Sequence, residues 1–376
     1  MNRHFCPVSV VGTGSFLPNS PVPNDRIDDV LGPLDEAPRR VQSFIKAGGG
    51  AMLGDSGIKY RHFAVDPETR KLTHTIATLA EEAARPALEA AGMEPDEIDL
   101  LMLSSPGYDH STPPSSTFLQ ERLGIESCAE MEIHSNCAGV GKCIQVAFDA
   151  LRTGRYKTAL VAYSQLSSVY LRGCYFNQAK ITKTQAALRY ILADGSGAVV
   201  LKAADDEHDG PVPAEMIGTF VESIGGKLQP AMTAGGGAAD LIEFDSPAQA
   251  IYGEALHHLD QDFSCVTRNA GRRLLEGIMR MIESLGLEPG SITHYVGSVP
   301  TRQLFEDNIE LFMERFGARS EQMKFRTANT GYCGGASLLI HFDEMVRSGE
   351  IKRGDIVLYH SVESSKWMSA GFVVRW

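Results

Sequence analysis

Cys137 is the residue best placed to do chemistry. It stands in the run Met131-Glu-Ile-His-Ser-Asn-Cys-Ala-Gly-Val-Gly-Lys-Cys143. A short extended stretch leads into it, and Ile144, Phe148 and Leu151 follow at helical spacing. That pattern puts Cys137 at the start of a helix. Free backbone N–H groups and a positive partial charge gather there, and both favour a thiolate. Ala138, Gly139 and Gly141 remove bulk, so a substrate can approach and the helix can pack closely. These features describe a nucleophile, and they equally describe a small buried cysteine filling a tight junction.

The elements that must position this residue come in two copies. Gly92–Ser105 (GMEPDEIDLLMLSS) is answered by Gly286–Val299 (GLEPGSITHYVGSV). ERLG, ending at Gly124, is answered by ERFG, ending at Gly317. Arg152–Tyr163 is answered by Arg347–Tyr359. Matches in one order imply two α/β units related by a pseudo-twofold axis. Counting back from the shared arginines, or forward from the shared glycines, puts the counterpart of Cys137 within Asn329–Cys333. A twofold relation brings both loops to one central cleft. Short apolar strands are expected at Pro7–Gly12, Asp99–Ser104, Thr158–Tyr163 and Ala198–Leu201. A long helix is expected over Thr73–Ala91, kinked or broken at Pro86. The organisation expected is an N-terminal half over 1–202 carrying the nucleophile, a connection over 203–264, and a C-terminal half over 265–376.

Composition narrows the function. The 376 residues are 43% apolar and 22% charged, which is globular and large enough for two or three domains. The net charge of −12 argues against binding nucleic acid through phosphates. No stretch is long and apolar enough to span a membrane. The cysteine count is seven, an odd number, and there is no CxxC pair, so neither a disulfide scaffold nor a cysteine zinc site is expected. A reducing cytoplasm fits that usage. Asp109-His110 has no second cluster at ligand spacing, so no metal is expected.

Three segments together resemble a known family. They are Ser135-Asn-Cys-Ala-Gly139 between strand and helix, Ala193-Asp-Gly-Ser-Gly-Ala-Val-Val-Leu201, and the Asn329-Thr-Gly…Gly-Ala-Ser337 stretch. They look like β-ketoacyl-acyl-carrier-protein synthase III, a condensing enzyme of the thiolase superfamily. The opening Gly12–Pro18 and the Gly57–His62 segment are similar to its start. The resemblance implies a five-layered αβαβα fold built from two pseudo-twofold-related halves. It also implies a homodimer and an acyl group carried on Cys137 as a thioester. No bound cofactor is implied; acyl-coenzyme A or the phosphopantetheine thioester of an acyl carrier protein is the substrate. Arg39, Arg40 and Lys46 are candidates to meet its phosphates.

The chain departs from the family where the resemblance would supply a histidine and an asparagine. The position matching the histidine is Ser298. The asparagine is Asn329 if an insertion follows it, and otherwise Tyr332 takes its place. A serine is no base near neutral pH and is a weaker oxyanion partner than imidazole. Decarboxylative condensation by the usual route is therefore less favoured than direct acyl transfer in polyketide or fatty-acid-derived metabolism. The loop that the family places over the nucleophile carries His360, Ser361 and Glu363 here, so His360 and Glu363 are expected as replacement catalytic groups. His134 is a further candidate. A non-catalytic partner of an active homologue is the reading of a different class.

Overall fold

The computed structural model describes residues 5–204 and 212–376. Its first half runs β1 (Val8–Phe16), α1 (Arg39–Ser56), α2 (Ile76–Ala91), β2 (Leu100–Ser105), α3 (Ser115–Leu123), β3 (Ala129–His134), α4 (Gly139–Arg152), β4 (Thr158–Gln165) and β5 (Gly195–Ala203). The second runs β6 (Glu215–Ser223), α5 (Phe263–Ser284), β7 (His294–Gly297), α6 (Arg302–Phe316), α7 (Ala336–Arg347), β8 (Ile356–Glu363) and β9 (Met368–Arg375).

The repeats in the sequence are repeats in space. The glycines that open them, Gly92 and Gly286, both take positive φ, 63° and 61°. Only a glycine adopts that conformation without cost, so each ends a helix cleanly. A 3₁₀ turn follows in each copy, Pro95–Glu97 and Pro289–Ser291, and then a strand. The pairing repeats too. β1 is antiparallel to β5, β5 to β4, and β4 lies parallel to β2, which is parallel to β3. In the second half β6 is antiparallel to β9, β9 to β8, and β8 is parallel to β7. A single parallel bridge, Tyr295 to Met323, stands where the second counterpart of β3 would lie. The halves join where Ser9 on β1 pairs with Glu215 on β6, giving the strand order β7-β8-β9-β6-β1-β5-β4-β2-β3.

Five layers result. α2 and α3 cover the outer face of the first half and α5 and α6 that of the second. α4 and α7 lie between, α4 touching β2 and β4 on one side and β6 and β9 on the other. Three apolar cores fill the spaces between the layers. Ile144, Phe148 and Leu151 are buried in the central one, as their spacing requires.

One expectation needs correction and two are narrowed. The stretch 203–264 is not all connection, because β6 lies inside it and is the first strand of the second half's sheet. The second half therefore begins at Glu215. Helix α2 is not broken at Pro86, one of the two outcomes expected there. Pro86 is half-buried and Glu82, whose carbonyl loses its partner, is exposed, so water can satisfy that carbonyl. Of the two roles expected for Gly139 and Gly141, close packing is the one their surroundings bear on. A Cβ on Gly141 would lie 2.6 Å from Ala370 Cβ, and one on Gly139 would lie 2.1 Å from Ser104 Oγ.

The same close approach fixes β1 against α2. A Cβ on Gly12 would sit 2.1 Å from the Ala87 carbonyl oxygen and 2.8 Å from the Ala91 nitrogen. Both are backbone atoms, so no rotamer change relieves the clash. Gly12→Ala is expected to cost about 1–3 kcal/mol, the range for overpacking a core. A denaturant midpoint that falls with an unchanged slope would register it; an unmoved midpoint would show that β1 does not depend on this contact.

Candidate active site

Cys137 lies just before α4, in the central layer where the halves meet. Its Sγ is 3.1 Å from the Tyr332 hydroxyl. Tyr332 comes from the matching loop ahead of α7, so the two loops do converge as the pseudo-symmetry requires. The Tyr332 hydroxyl is 3.2 Å from Ser298 Oγ, and Ser298 lies 3.1 Å from the Gly334 carbonyl oxygen. Ser298 follows β7 and is buried. Sulfur, phenol and serine hydroxyl thus form one hydrogen-bonded row.

The row can serve either state of the sulfur. With the thiol protonated, S–H donates to Tyr332, and Ser298 donates to Tyr332 or to the Gly334 carbonyl. With sulfur as thiolate, Tyr332 turns to donate to it and Ser298 turns to donate to Tyr332. Each group keeps a partner in both arrangements.

β8 presents its residues alternately to two layers. Ser361 donates to the Cys137 carbonyl oxygen at 2.7 Å. Glu363, two residues on, faces the same way. One carboxylate oxygen accepts from Ser135 Oγ at 2.7 Å and from the Ala138 N–H at 3.1 Å. The other accepts from the Ser365 hydroxyl. Lys142 Nζ donates to Ser135 Oγ at 2.8 Å. Glu363 therefore holds the start of α4 in place, and its hydrogen bonds among the described residues go to these groups, with Tyr332 bonded to the sulfur.

His360 has the opposite parity and points into the outer layer. It is fully buried beside Gly277 of α5 and the Phe220 ring, and neither ring nitrogen has a hydrogen-bond partner. Burial first, and the Arg280 charge second, push its pKa down to about 3. The expected catalytic role for His360 is therefore set aside. Asn329 is exposed and is not among the residues lining the cavity at Cys137, where Tyr332 stands instead. His134 is exposed at the end of β3. Asp109 accepts the N–H groups of Ile76 and Ala77 at 2.7 and 2.9 Å and so caps α2.

The electrostatics at Cys137 oppose the thiolate expected at a helix start. Burial pushes the thiol up to about 12, the Tyr332 hydrogen bond pulls it down, and the Glu363 charge pushes it up again. Glu363 also takes the Ala138 N–H, so a carboxylate offsets part of the helix charge. Alkylation of Cys137 by iodoacetamide should accordingly rise about tenfold per pH unit from pH 6 to 9, without the flattening near 8.5 of an ordinary exposed thiol. Glu363→Gln removes a like charge, lowers the thiol pKa and should speed alkylation at fixed pH. A plateau below pH 9 in the wild-type profile, followed by peptide mapping, would contradict this assignment.

Cys137 opens on a cavity of about 200 Å³. Ile191, Leu192, Val266, Ala270, Val299 and Leu304 supply apolar wall. The cavity reaches the surface at Thr267, Gln303 and Asp307, which are exposed. Arg39, Arg40 and Lys46 are exposed on α1, which packs against α6, the helix that carries Gln303 and Asp307. No helix of the described residues is long and apolar enough to cross a membrane, and no described group of His, Cys, Asp and Glu could hold a metal ion.

Known proteins share this fold. Residues 131–218 match the family model of 3-oxoacyl-(acyl-carrier-protein) synthase III, and residues 282–376 match the model of its C-terminal part. The chain is a synthase III-like protein of the thiolase superfamily. Synthase III relatives cover nearly its whole length. The β-ketoacyl-(acyl-carrier-protein) synthase III of Erythrobacter litoralis is 26% identical over 94% of this chain and 95% of its own. That of Neisseria meningitidis is 28% identical over 94% of both. The crystal structure of the synthase III of Aquifex aeolicus superposes with a TM-score of 0.73 at 19% identity, covering 98% of this chain and 100% of its own. A tetronic acid condensing enzyme, AbyA1, superposes at 0.76 with 24% identity, covering 98% of this chain and 100% of its own. At these identities the two structures speak to the fold alone.

Ser135 and Lys142 are site residues that the sequence alone does not single out, because their partner Glu363 lies far along the chain. Tyr332 is one of two alternatives for a family position, and counting back from Arg347 reaches it directly. Asp307 carries no signal, since an acidic residue on a polar helix face is ordinary.

Proposed function

We propose that this synthase III-like protein transfers acyl groups through a thioester on Cys137. The observation that carries the reading is the sulfur itself, set at a helix start, 3.1 Å from a phenol and facing a cavity with an open mouth. The donor is the thioester of an acyl carrier protein, the carrier in the relatives' names, or the corresponding acyl-coenzyme A. Pantetheine lies along the apolar wall, and the phosphates fall outside, towards Arg39, Arg40 and Lys46. In loading, Sγ attacks the thioester carbonyl, the donor's C–S bond breaks, and the cysteine proton leaves with the donor thiol. Tyr332 steadies the sulfur as it changes charge. Ser298 holds Tyr332 in turn. Glu363 is a positioning residue, acting through Ser135 and the Ala138 N–H.

Direct transfer is preferred to decarboxylative condensation because the row beside the sulfur contains two hydroxyls and no imidazole or amide side chain. The metabolic setting is polyketide or fatty-acid-derived synthesis. A homodimer joined along the free edge of β3 fits the exposed Met131 there.

Incubation with acyl-coenzyme A, followed by intact mass and peptide mapping, tests the reading. The expected result is one acyl mass on the peptide containing Cys137. Adding malonyl-coenzyme A to the loaded protein should release no carbon dioxide. Stoichiometric carbon dioxide would instead make it a condensing enzyme. Absence of an adduct with coenzyme A and carrier-bound donors alike would favour a non-catalytic partner subunit.

A further inference from the structure

If Cys137 carries the thioester, the described residues place no free base beside its sulfur. Among the described residues, Tyr332 is the side chain hydrogen-bonded to Sγ, and Ser298 stands behind it. Burial raises the Tyr332 hydroxyl well above its ordinary pKa, so it holds its proton at neutral pH. The Glu363 carboxylate is committed to Ser135, the Ala138 N–H and Ser365. His360 faces another layer. An alcohol must lose its proton as it attacks and needs a base to take it. A neutral amine attacks first and sheds its proton afterwards.

The second observation is independent of the first. Asp307, on α6, is the one charged side chain among the described residues that line the cavity. It is exposed at the mouth and accepts from Gln303 Nε2 at 2.6 Å. A carboxylate there favours a cation, and the apolar wall beyond favours its neutral, deprotonated form.

We propose that the acyl acceptor is a primary amine, which enters past Asp307 and is acylated on nitrogen. This rests on the Cys137 thioester reading. The ammonium gives one proton to water at the mouth. The neutral nitrogen attacks the thioester carbonyl, the C–N bond forms and the C–S bond breaks. The surplus proton passes from nitrogen to the Tyr332 oxygen as the Tyr332 proton moves to sulfur. The products are an amide, the Cys137 thiol and the one proton already given to water, and no oxidant is consumed. The high pKa of the departing thiol makes its sulfur a strong proton acceptor at that moment.

The test uses the full chain loaded with a hexanoyl group from hexanoyl-coenzyme A and freed of excess donor. Butylamine, 1-butanol and malonyl-coenzyme A are added separately, and loss of the adduct is followed by intact mass. Butylamine is expected to discharge the enzyme at least about a hundredfold faster than it discharges free hexanoyl-coenzyme A, yielding N-butylhexanamide, while butanol gives no ester. Asp307→Asn is expected to raise the half-saturating butylamine concentration about tenfold. Tyr332→Phe, loaded first, is expected to discharge about a hundredfold more slowly. Discharge by butylamine no faster than from the free thioester, ester formation with butanol at a similar rate, or discharge by malonyl-coenzyme A alone would each overturn the proposal. In all three the adduct is present and the thioester reading stands. If no adduct forms, both fall.

Discussion

Cys137→Ala is expected to abolish the acyl adduct and to lower turnover by at least about a thousandfold, the scale seen when a covalent nucleophile is removed. No neighbour can take over. Tyr332 and Ser298 hold their protons near neutral pH, and the buried Cys143 lies within α4, packed in the central core. The other groups around the sulfur position it without offering a substitute. The substitution removes one sulfur and leaves the Glu363 contacts with Ser135 and the Ala138 N–H in place, so the fold should survive. A near-ultraviolet spectrum matching the wild type would establish that. Cys137→Ser is the companion variant, since it keeps a hydrogen bond to Tyr332 but supplies a poorer nucleophile. Both variants should bind donor and carry no acyl mass. Turnover within tenfold of wild type in either one, with the fold intact, would rule out a covalent route through this residue.

Much of this site was legible in the sequence because its signals are local. Glycines at Gly92, Gly124, Gly286 and Gly317 end helices by taking positive φ, and that requirement writes itself into one residue. The repeat built on them gave the two halves and brought the loop of Asn329–Cys333 to Cys137. What stayed hidden depends on parity and pairing. Whether His360 or Ser361 faces the nucleophile is decided by one residue of register in β8, and a single slip exchanges them. β6 escaped notice because its alternation is weak: it carries Gly218 where Leu285 packs against the strand, so an apolar side chain is missing from the pattern. The thiol's raised pKa also lay beyond the sequence, because it comes from burial and from Glu363, far along the chain. The Asp194-Gly-Ser-Gly segment was recognisable by resemblance, but its physical role emerges only from its contacts.

Asp194→Ala should be the most destabilising of the substitutions considered, at about 3–5 kcal/mol, because it leaves several buried donors unpaired at once. The carboxylate is fully buried at the start of β5. It accepts the Ala64 N–H at 2.7 Å, the Ser168 N–H at 2.9 Å and the Ser168 hydroxyl. It thereby ties the segment after Arg61 to the one after β4, and its own N–H bonds the His62 carbonyl at 2.8 Å. Asparagine is a poor remedy, since its amide would set donors against donors. Burial pushes the Asp194 carboxyl up to about 6, against the pull of the Ser168 and Ala64 hydrogen bonds. The sign of the pH dependence follows. The folded chain keeps this proton up to higher pH than the unfolded chain does, so the aspartate's contribution is greatest below about 4 and shrinks as the pH rises through about 6. The gap in denaturation midpoint between wild type and Asp194→Ala should therefore widen as the pH is lowered from about 7.5 to about 4.5. A gap that narrows over that range would mean that the hydrogen bonds outweigh burial and that the carboxyl titrates below its ordinary value. The segment would then be held by a charge the fold favours, and Asp194→Asn should cost nearly as much as alanine at neutral pH.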